Sequence, residues 1–424
     1  MLKNGITITP TEATEIVVRK IKEDVERHFN TELKEVLLTD PANFKDDAKQ
    51  ALIEAFERNG LKVLKLLPEP TAAGIAYALD KVSSSTFLVY DFGGGTFDVS
   101  VLRKTGKKTD ILATEGISKL GGNDINNLIR DRIVNKIESE MGSRPDPQTD
   151  ALFYHDLMDR VENAKKSLGN RKEVPIVISY NGTQIIDKLT QEWYHQAIDP
   201  LIDQTLQAVD KAVNAAGLEI SDIKSLVLVG GTSRIPYIQQ RVSQHTGLNV
   251  KTDVDPEKAI VFGAAITSIA ELHQQGRTAT IGGKVIPAPE IQIQDITAHA
   301  VGCCVVDGKG TIRRLLNSAI IAKNTPIPCQ HTDRFMLEYD DQDSVKIEIL
   351  QGENNADRED CLLIGEIFLE NLPSEQVRTS RIEVDYSIDD NGMVTATATD
   401  IVSGISETVS VDYKSGIQSS SKTI

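Results

Sequence analysis

Residues 86–102 have the sequence TFLVYDFGGGTFDVSVL, which is the strongest local signal in the chain. Strand-forming residues flank the segment 93–96 (GGGT), which predicts a β-hairpin whose turn has almost no side chains. Glycine lets backbone N–H groups approach an anion closely, as a phosphate site requires. Thr96 can add a hydroxyl, and Asp91 and Asp98 offer the hard oxygen ligands that hydrated Mg²⁺ prefers. The stretch therefore favours a phosphate-binding hairpin. The alternative is a glycine-rich hairpin with two surface aspartates.

Strand and helix patterns alternate on both sides of this hairpin. A capping box at Thr9 and Glu12 predicts the start of a helix, whose apolar stripe is Val17, Ile21, Val25 and Phe29. The patterns that follow are strand 35–39, helix 46–59, strand 62–67, helices 71–79, 125–141 and 199–216, strand 225–229 and a helix from Pro236. This order predicts a layered α/β domain over residues 1–285.

The pattern changes near Gly282, where glycine and proline become frequent. Short alternating segments separated by turn signals predict strands at 336–339, 345–351, 362–369, 381–388, 393–399 and 406–413. Residues 390–392 (DNG) are a strong hairpin signal. We therefore expect a linker at 286–297, a β-sandwich at 298–416 and a disordered, serine-rich tail at 417–424.

Composition limits the possible partners. The 424 residues include 62 acidic and 46 basic side chains, for a net charge of -16, which argues against broad nucleic-acid binding. No apolar run is long enough to cross a membrane, and the first residues lack a signal-peptide core, so a soluble, cytoplasmic protein is expected. The spacing of the four cysteines matches no zinc or redox template, and buried free thiols are predicted at Cys303, Cys304, Cys329 and Cys361.

Three further motifs carry polar groups that suit nucleotide chemistry. Glu69 is fixed between two prolines and could orient an attacking water, although a helix-start charge is the simpler interpretation. Residues 227–236 (VLVGGTSRIP) predict a strand, a glycine turn and a helix, which is either a nucleotide site or a tight connection. Glu162 shares a helix face with Lys165 and Lys166, a pattern that is usually a solvated salt-bridge face.

Taken together, these segments resemble the seventy-kilodalton heat-shock chaperones, the DnaK-type family. The matching segments are residues 41–42, 68–73, 91–100, 120–122, 229–236, 262–265, 322–325, 350–353 and 390–392. The resemblance implies an α/β, actin-like (ribonuclease-H-like) nucleotide-binding domain and an all-β sandwich that binds peptides. It also implies binding of ATP or ADP with Mg²⁺, and of extended apolar segments of unfolded client proteins.

Carried over position by position, the resemblance assigns roles to individual residues. The β- and γ-phosphates and the hydrated Mg²⁺ would be held by Asp91, Gly93, Gly94, Gly95 and Thr96. The metal's water and the nucleophile would be ordered by Glu69 and Asp98, so that Glu69, Asp91 and Thr96 are the catalytic candidates. The adenosine would lie among Glu162, Lys165, Lys166, Gly230, Gly231, Thr232 and Arg234. Pro41 and Lys49 would form a proline switch with its basic partner, and Val345 and Ile347 would line the peptide pocket.

The resemblance also implies a J-domain cochaperone, a nucleotide exchange factor and a role in the stress response. The family's first phosphate-binding hairpin, its lysine near the γ-phosphate and its helical lid have no counterpart in this sequence. We therefore expect a chaperone truncated at its N-terminus and lacking the lid, with impaired ATP hydrolysis. The alternatives are a peptide-holding module that works without nucleotide, and an inactive remnant.

Overall fold

The computed structural model describes residues 8–79, 84–251, 255–281, 283–308, 313–339, 341–373, 380–390, 392–411 and 419–423. The chain divides into two compact units, of which one is Glu69–Ile266 and the other combines Met1–Pro68 with Thr267–Ile424. This division does not follow the predicted boundary at 285, because the segment before Glu69 packs with the β-rich segment. Asp46 and Gln351, for example, exchange two hydrogen bonds of 3.0 Å.

The helices and strands follow the chain in this order. The helices are α1 (Pro10–Phe29), α2 (Asp46–Glu57), α3 (Glu69–Leu79), α4 (Gly122–Met141), α5 (Ala151–Leu168), α6 (Gln191–Ala215), α7 (Pro236–Thr246) and α8 (Ala259–Gln274). The strands up to residue 281 are β1 (Glu35–Asp40), β2 (Lys62–Pro68), β3 (Ser85–Phe92), β4 (Phe97–Thr105), β5 (Lys108–Ile117), β6 (Glu173–Tyr180), β7 (Thr183–Thr190), β8 (Ser225–Val229), β9 (Val250–Lys251) and β10 (Ala279–Ile281). The later strands are β11 (Lys284–Ile286), β12 (Gln292–Gln294), β13 (Val301–Asp307), β14 (Arg314–Ile321), β15 (Cys329–Phe335), β16 (Ser344–Gln351), β17 (Leu362–Glu370), β18 (Ile382–Ile388), β19 (Val394–Asp400), β20 (Ser406–Val411) and β21 (Ser419–Thr423).

The unit Glu69–Ile266 is built on a sheet in which β5, β4, β3, β8 and β9 lie side by side. The strands β3, β4 and β5 are antiparallel, whereas β8 runs parallel to β3. Successive side chains of β3, such as Leu88 and Val89, are both fully buried, so both faces of this strand are covered. Because β3 and β8 are parallel and Asp91 pairs with Val229, their carboxyl ends lie next to each other. This edge of the sheet is where α/β proteins commonly bind ligands.

The other unit contains two antiparallel sheets, with strand orders β14-β13-β16-β17 and β15-β18-β19-β20-β21. Buried side chains of both sheets, including Ile349 and Val384, belong to one hydrophobic core. The hydroxyl of Tyr386, on one sheet, donates a 2.8 Å hydrogen bond to the Gly302 carbonyl on the other. Burial alternates residue by residue along β18 and β19, as the period of a half-buried strand requires.

Several sequence predictions are confirmed at the level of elements. The Thr9 side chain caps α1 and the Glu12 side chain returns to the Thr9 backbone, which completes the predicted capping box. The predicted strand at 35–39 and helix at 46–59 correspond to β1 and α2. A further finding is that a Cβ on Gly263 would overlap the Ala72 backbone, so the backbones of α8 and α3 approach each other closely at this point. All four cysteines are free.

Other predictions were wrong, and each error has a physical reason. On α1, Val17 and Ile21 are exposed and Val18 is the buried valine, because α1 meets α2 with a different face. Residues 336–339, predicted to be a strand, are irregular, and the nearest strand is the preceding β15. Most side chains of β15 are polar, so it lacks the alternating apolar pattern that predicts a strand. The helix expected from 199 begins at Gln191, since Pro200 lies inside α6.

The remaining differences concern the tail and the thiols. The serine-rich tail expected to be disordered contains β21, which pairs with β20. Cys303 and Cys361 are buried, but Cys304 and Cys329 are only half-buried. None of the helices that the structure describes combines the length and the apolar content needed to cross a membrane.

Strand β1 ends in a buried carboxylate. Asp40 is fully buried, and neither of its carboxylate oxygens takes part in a hydrogen bond with the described residues. Burial raises the pKa of Asp40 to about 6, although the Lys49 ammonium, 3.8 Å from Oδ2, opposes the shift and Asp295 adds to it. Because the Asp40 carboxyl group has a higher pKa in the folded state than in the unfolded state, the folded state keeps this proton to higher pH. The free energy of unfolding therefore falls as pH rises from about 4 to about 6.

We predict that Asp40→Asn raises the free energy of unfolding at pH 7.5 by up to about 3 kcal/mol and has little effect at pH 4. The neutral amide has no charge to bury, so the free energy of unfolding of the variant should fall less between pH 4 and pH 6. Urea unfolding from pH 4 to 7.5, with hydrogen exchange of the β1 and β2 amides, measures this effect. Asp47→Asn, at an exposed position on α2, is the matched control. An unchanged pH profile in the Asp40 variant would contradict the prediction.

Candidate functional site

The predicted glycine hairpin is present between β3 and β4. Asp91 faces Asp98 across the hairpin, and the Gly93 N–H donates a 3.1 Å hydrogen bond to the Thr96 carbonyl, which closes the turn. Gly94 is exposed at the tip. A side chain added there would meet no heavy atom within 4 Å, so open space adjoins the turn.

The carbonyl groups of the hairpin are held by donors from two other segments. The N–H groups of Gly122 and Asn123, at the start of α4, donate to the Gly93 and Gly94 carbonyls at 3.0 and 2.8 Å. The Thr232 hydroxyl, from the turn after β8, donates to the same Gly93 carbonyl at 2.8 Å. Two N–H groups of the turn, those of Gly94 and Gly95, donate no hydrogen bond to any of the described residues. The turn therefore presents free backbone donors beside open space, as an anion site requires.

Two glycines outside the hairpin allow this close packing. A Cβ on Gly121 would overlap the Gly94 backbone, and a Cβ on Gly230 would overlap the Phe92 carbonyl. Gly230 also has a φ of +81°, in the left-handed region that favours glycine. These contacts explain physically why glycine occurs at position 121, just before α4, and at position 230, just after β8.

Three carboxylates gather at the base of the hairpin. Asp91 and Asp98 are 5% and 1% exposed, and Glu69 is the first residue of α3. Burial, together with the charges of Glu69 and Asp98, raises the pKa of Asp91 well above its usual range. Oδ2 of Asp91 is buried and has no hydrogen-bond partner among the described residues. Like charges in a buried cluster favour binding of a cation, which would relieve their repulsion.

The carboxylates fit a hydrated ion better than a fully coordinated one. Within the described ranges, no three His, Cys, Asp or Glu side chains lie close enough to hold a metal ion directly. Mg²⁺ typically keeps several waters and binds through one or two carboxylates together with substrate phosphates. The donors present here therefore suit Mg²⁺ held largely through water beside a phosphate.

Comparison of the sequence with known protein families identifies the family of this chain. The family described as "Hsp70 protein" matches residues 1–424. The chain belongs to the Hsp70 family. Hsp70 proteins are chaperones that bind ATP or ADP with Mg²⁺ on an actin-like nucleotide-binding fold, and they act on unfolded clients together with cochaperones.

Helix α5 of this Hsp70 protein brings the predicted adenosine residues next to α4. The Glu162 carboxylate accepts hydrogen bonds from Lys165 and Asn126, both 2.7 Å long, and from Lys166 at 3.2 Å. Burial would raise the pKa of Glu162, but these hydrogen bonds lower it to about 2. The two lysines differ, because the Lys165 side chain is 9% exposed and that of Lys166 is 70% exposed.

The turn after β8 supplies the other predicted adenosine residues. Gly230 and Thr232 lie against the hairpin, whereas a Cβ on Gly231 would meet nothing within 4 Å. The Arg234 guanidinium is exposed and pairs with Glu257 at 2.7 Å. The structure therefore brings the turn after β8 to the hairpin directly and α5 next to it through Gly122 of α4, although these segments lie far apart in sequence.

The predicted switch residues lie in the other compact unit. Pro41 follows the buried Asp40, and Lys49 is the cation nearest that carboxylate. Asp40 and Lys49, but not Pro41, line a cavity of about 100 Å³ together with Asp295, within the predicted linker 286–297, and Gln351. The segment after Pro41 therefore lines one cavity with a linker residue, and its Asp46 hydrogen-bonds to Gln351 of the β-rich segment.

The two predicted peptide-pocket residues lie on the same face of β16. Ile347 is 6% exposed and belongs to the core shared by the two sheets, whereas Val345 is half-buried at its margin. Of the two, Val345 is the side chain that solvent reaches.

Sequence reasoning assigned no role to three groups that complete the site. Gly122 and Asn123 hold the hairpin carbonyls, and Asn126 holds Glu162. The glycine pair that opens α4 was the available signal for Gly122, because glycine at a helix start permits close backbone approach. No sequence pattern indicated Asn126.

The neighbouring glycines 230 and 231 give a direct test of this packing. We predict that Gly230→Ala lowers the free energy of unfolding by about 2 kcal/mol or more, because it combines a left-handed φ with overlap on the Phe92 carbonyl. Gly231→Ala has open space and a helical backbone, so a change within about 1 kcal/mol is expected. Urea unfolding of both variants measures the difference, and equal stabilities would contradict the account.

Proposed function

We propose that this Hsp70 protein is a DnaK-type chaperone that binds MgATP at the glycine hairpin and extended apolar client segments at its β-rich part. In this proposal ATP hydrolysis drives cycles of client binding and release. A J-domain cochaperone and a nucleotide exchange factor would assist the cycle, in the cytoplasm and as part of the stress response.

The observation that carries the nucleotide proposal is the orientation of the hairpin backbone. Its carbonyls are occupied by Gly122, Asn123 and Thr232, while open space adjoins Gly94. Free amide donors would hold the phosphate oxygens, and the Thr96 hydroxyl would add one more donor. A hairpin that served only as a tight turn would not need three outside donors to fix its carbonyls.

The carboxylates would hold the hydrated metal. Asp91, with its unbonded Oδ2, and Asp98 would accept hydrogen bonds from metal-bound water, and Glu69 would orient a water for attack. When bound, Mg²⁺ neutralises negative charge on the phosphates. Phosphoryl transfer is catalysed mainly by positioning and charge stabilisation, so turnover demands more of the site than binding does.

The peptide proposal rests on the half-buried Val345 at the margin of a well-packed core. An extended segment could add main-chain hydrogen bonds while one apolar side chain contacts Val345, a common mode of peptide recognition. A nucleotide-independent holding module is the second candidate, and the experiment below separates the two.

The test measures MgADP binding by calorimetry, with and without EDTA, and single-turnover ATP hydrolysis in the same preparation. We predict that Asp91→Asn stabilises the ligand-free protein by about 1 kcal/mol or more, because it removes a buried charge from a like-charged cluster. The same variant should bind ADP with an affinity that no longer depends on Mg²⁺. Asp110→Asn, on the surface end of β5, is the control. A Mg²⁺-dependence retained by the Asp91 variant would contradict the proposed role.

Dissociation of a labelled apolar peptide, followed with and without MgATP, tests the second half of the proposal. We predict that Val345→Thr weakens peptide binding about three- to tenfold, since a hydroxyl replaces a methyl group of similar shape. Val306→Thr, at a valine that is 43% exposed, should have no effect. Peptide binding without any nucleotide binding would favour the holding module.

A further inference from the structure

We propose that Asp40, Lys49 and Asp295 form a proton-sensitive latch, which holds residues 294–299 against the end of β1 at low pH and loosens them as pH rises. The three side chains line one cavity of about 100 Å³. Through this latch, the contact between the end of β1 and the β-rich part of the chain depends on pH. The latch belongs to the ligand-free protein and does not require the proposed nucleotide binding.

The two carboxyl groups of the latch differ in their hydrogen bonds. Neither oxygen of the buried Asp40 takes part in a hydrogen bond with the described residues, and the Lys49 ammonium, 3.8 Å from Oδ2, is too distant for one. The Asp295 carboxylate, in contrast, accepts a 2.9 Å hydrogen bond from the Ile296 N–H. A hydrogen bond of this kind stabilises the charged form of a carboxyl group. Of the two groups, Asp40 is therefore the one that holds a proton.

Other charged groups around the cavity do little to neutralise an ionised Asp40. The charged and titratable side chains that line the cavity with Asp40 are Asp46 and Lys49 of α2, Lys65 of β2, Asp295, His299 and Asp390. Lys65 pairs with Glu271 at 2.9 Å. Burial lowers the pKa of His299 to about 4, so its ring is uncharged above pH 5. The charge that faces Asp40 at close range is therefore the ammonium of Lys49, which also acts on Asp295.

Proton binding favours the closed latch. Burial raises the pKa of Asp40 to about 6, while Lys49 lowers it and Asp295 raises it further. In the loosened state the Asp40 carboxyl group meets water, and its pKa returns to about 4. The closed state thus binds the proton more tightly, so the equilibrium moves towards the loosened state as pH rises from about 4 to about 6. A difference of about two pKa units limits the total change to about a hundredfold.

Two hydrogen bonds close to Asp40 in sequence join the end of β1 to the rest of the latch contact. The Asn43 carbonyl accepts a 3.0 Å hydrogen bond from His299 Nε2. The Asp46 N–H donates a 3.0 Å hydrogen bond to Gln351 Oε1. Both bonds would be strained by any movement that relieves an ionised Asp40. The Asp46 amide is therefore a direct probe of the latch.

The test follows hydrogen exchange of the Asp46 amide in the full chain without nucleotide, from pH 5 to pH 7.5, corrected for the intrinsic exchange rate. We expect its protection factor to fall about tenfold over this range. Low concentrations of urea should leave its exchange unchanged, because the latch opens without global unfolding. The Lys62 amide, which donates to the Lys34 carbonyl at 2.8 Å, is the internal control for global unfolding, and its exchange should become faster with urea.

Four variants test the contribution of each charge to the pH dependence. Asp40→Asn removes the titrating group, so the protection factor of the Asp46 amide should no longer change with pH. Lys49→Met should enlarge the fall, because Lys49 lowers the pKa of Asp40, and Asp295→Asn should reduce it, because Asp295 raises that pKa. Asp47→Asn, at an exposed position on α2, should retain the tenfold fall.

Three results would overturn the inference, and none of them bears on nucleotide binding. The first is a protection factor of the Asp46 amide that does not change between pH 5 and pH 7.5 in the unmodified protein. The second is exchange of the Asp46 amide that follows urea and pH in parallel with the Lys62 amide, which would restrict Asp40 to an effect on global stability. The third is a fall with pH that persists in Asp40→Asn, which would assign the titration to another group.

Discussion

Hydrogen bonds to the carbonyl groups of one glycine turn determine the rest of the candidate site. Donors from the start of α4 and from the turn after β8 meet on the Gly93 and Gly94 carbonyls. They fix the turn, which has no side chains of its own to hold it. The parallel pairing of β3 with β8 places the second turn within reach, and glycines at 121 and 230 remove the side chains that would keep the segments apart. The proposed anion-binding geometry is therefore a property of the sheet edge as a whole.

The same site contains groups that work against stability. Asp91 is buried beside two other carboxylates, and the pKa of Asp91 is raised by that burial and by their charges. Such an arrangement is unfavourable in the ligand-free protein and becomes favourable with a cation, which is typical of sites organised for a ligand. Asp40, in the other compact unit, is buried with a single cation at 3.8 Å. There the raised pKa makes stability depend on pH.

The sequence predicted much of the fold and the location of the hairpin, because both depend on local patterns. The GGGT turn between strand-forming residues and the capping box at Thr9 are short-range signals. The failures involve information that is not local. Neither the buried face of α1 nor the continuation of α6 through Pro200 can be deduced without the packing partner. Likewise, the distinct environments of Lys165 and Lys166 depend on how α5 meets α4, which no spacing rule contains.

The most direct measurement of the central claim is the amide ¹⁵N–¹H spectrum of the full chain, with glycine assignments, during titration with MgADP. The account predicts that the Gly94 and Gly95 amides show the largest shifts and that these shifts require Mg²⁺. It also predicts that amides behind the turn, such as that of Asn123, move little, because their hydrogen bonds already exist. Saturable binding that leaves the Gly94 and Gly95 amides unchanged would contradict the account.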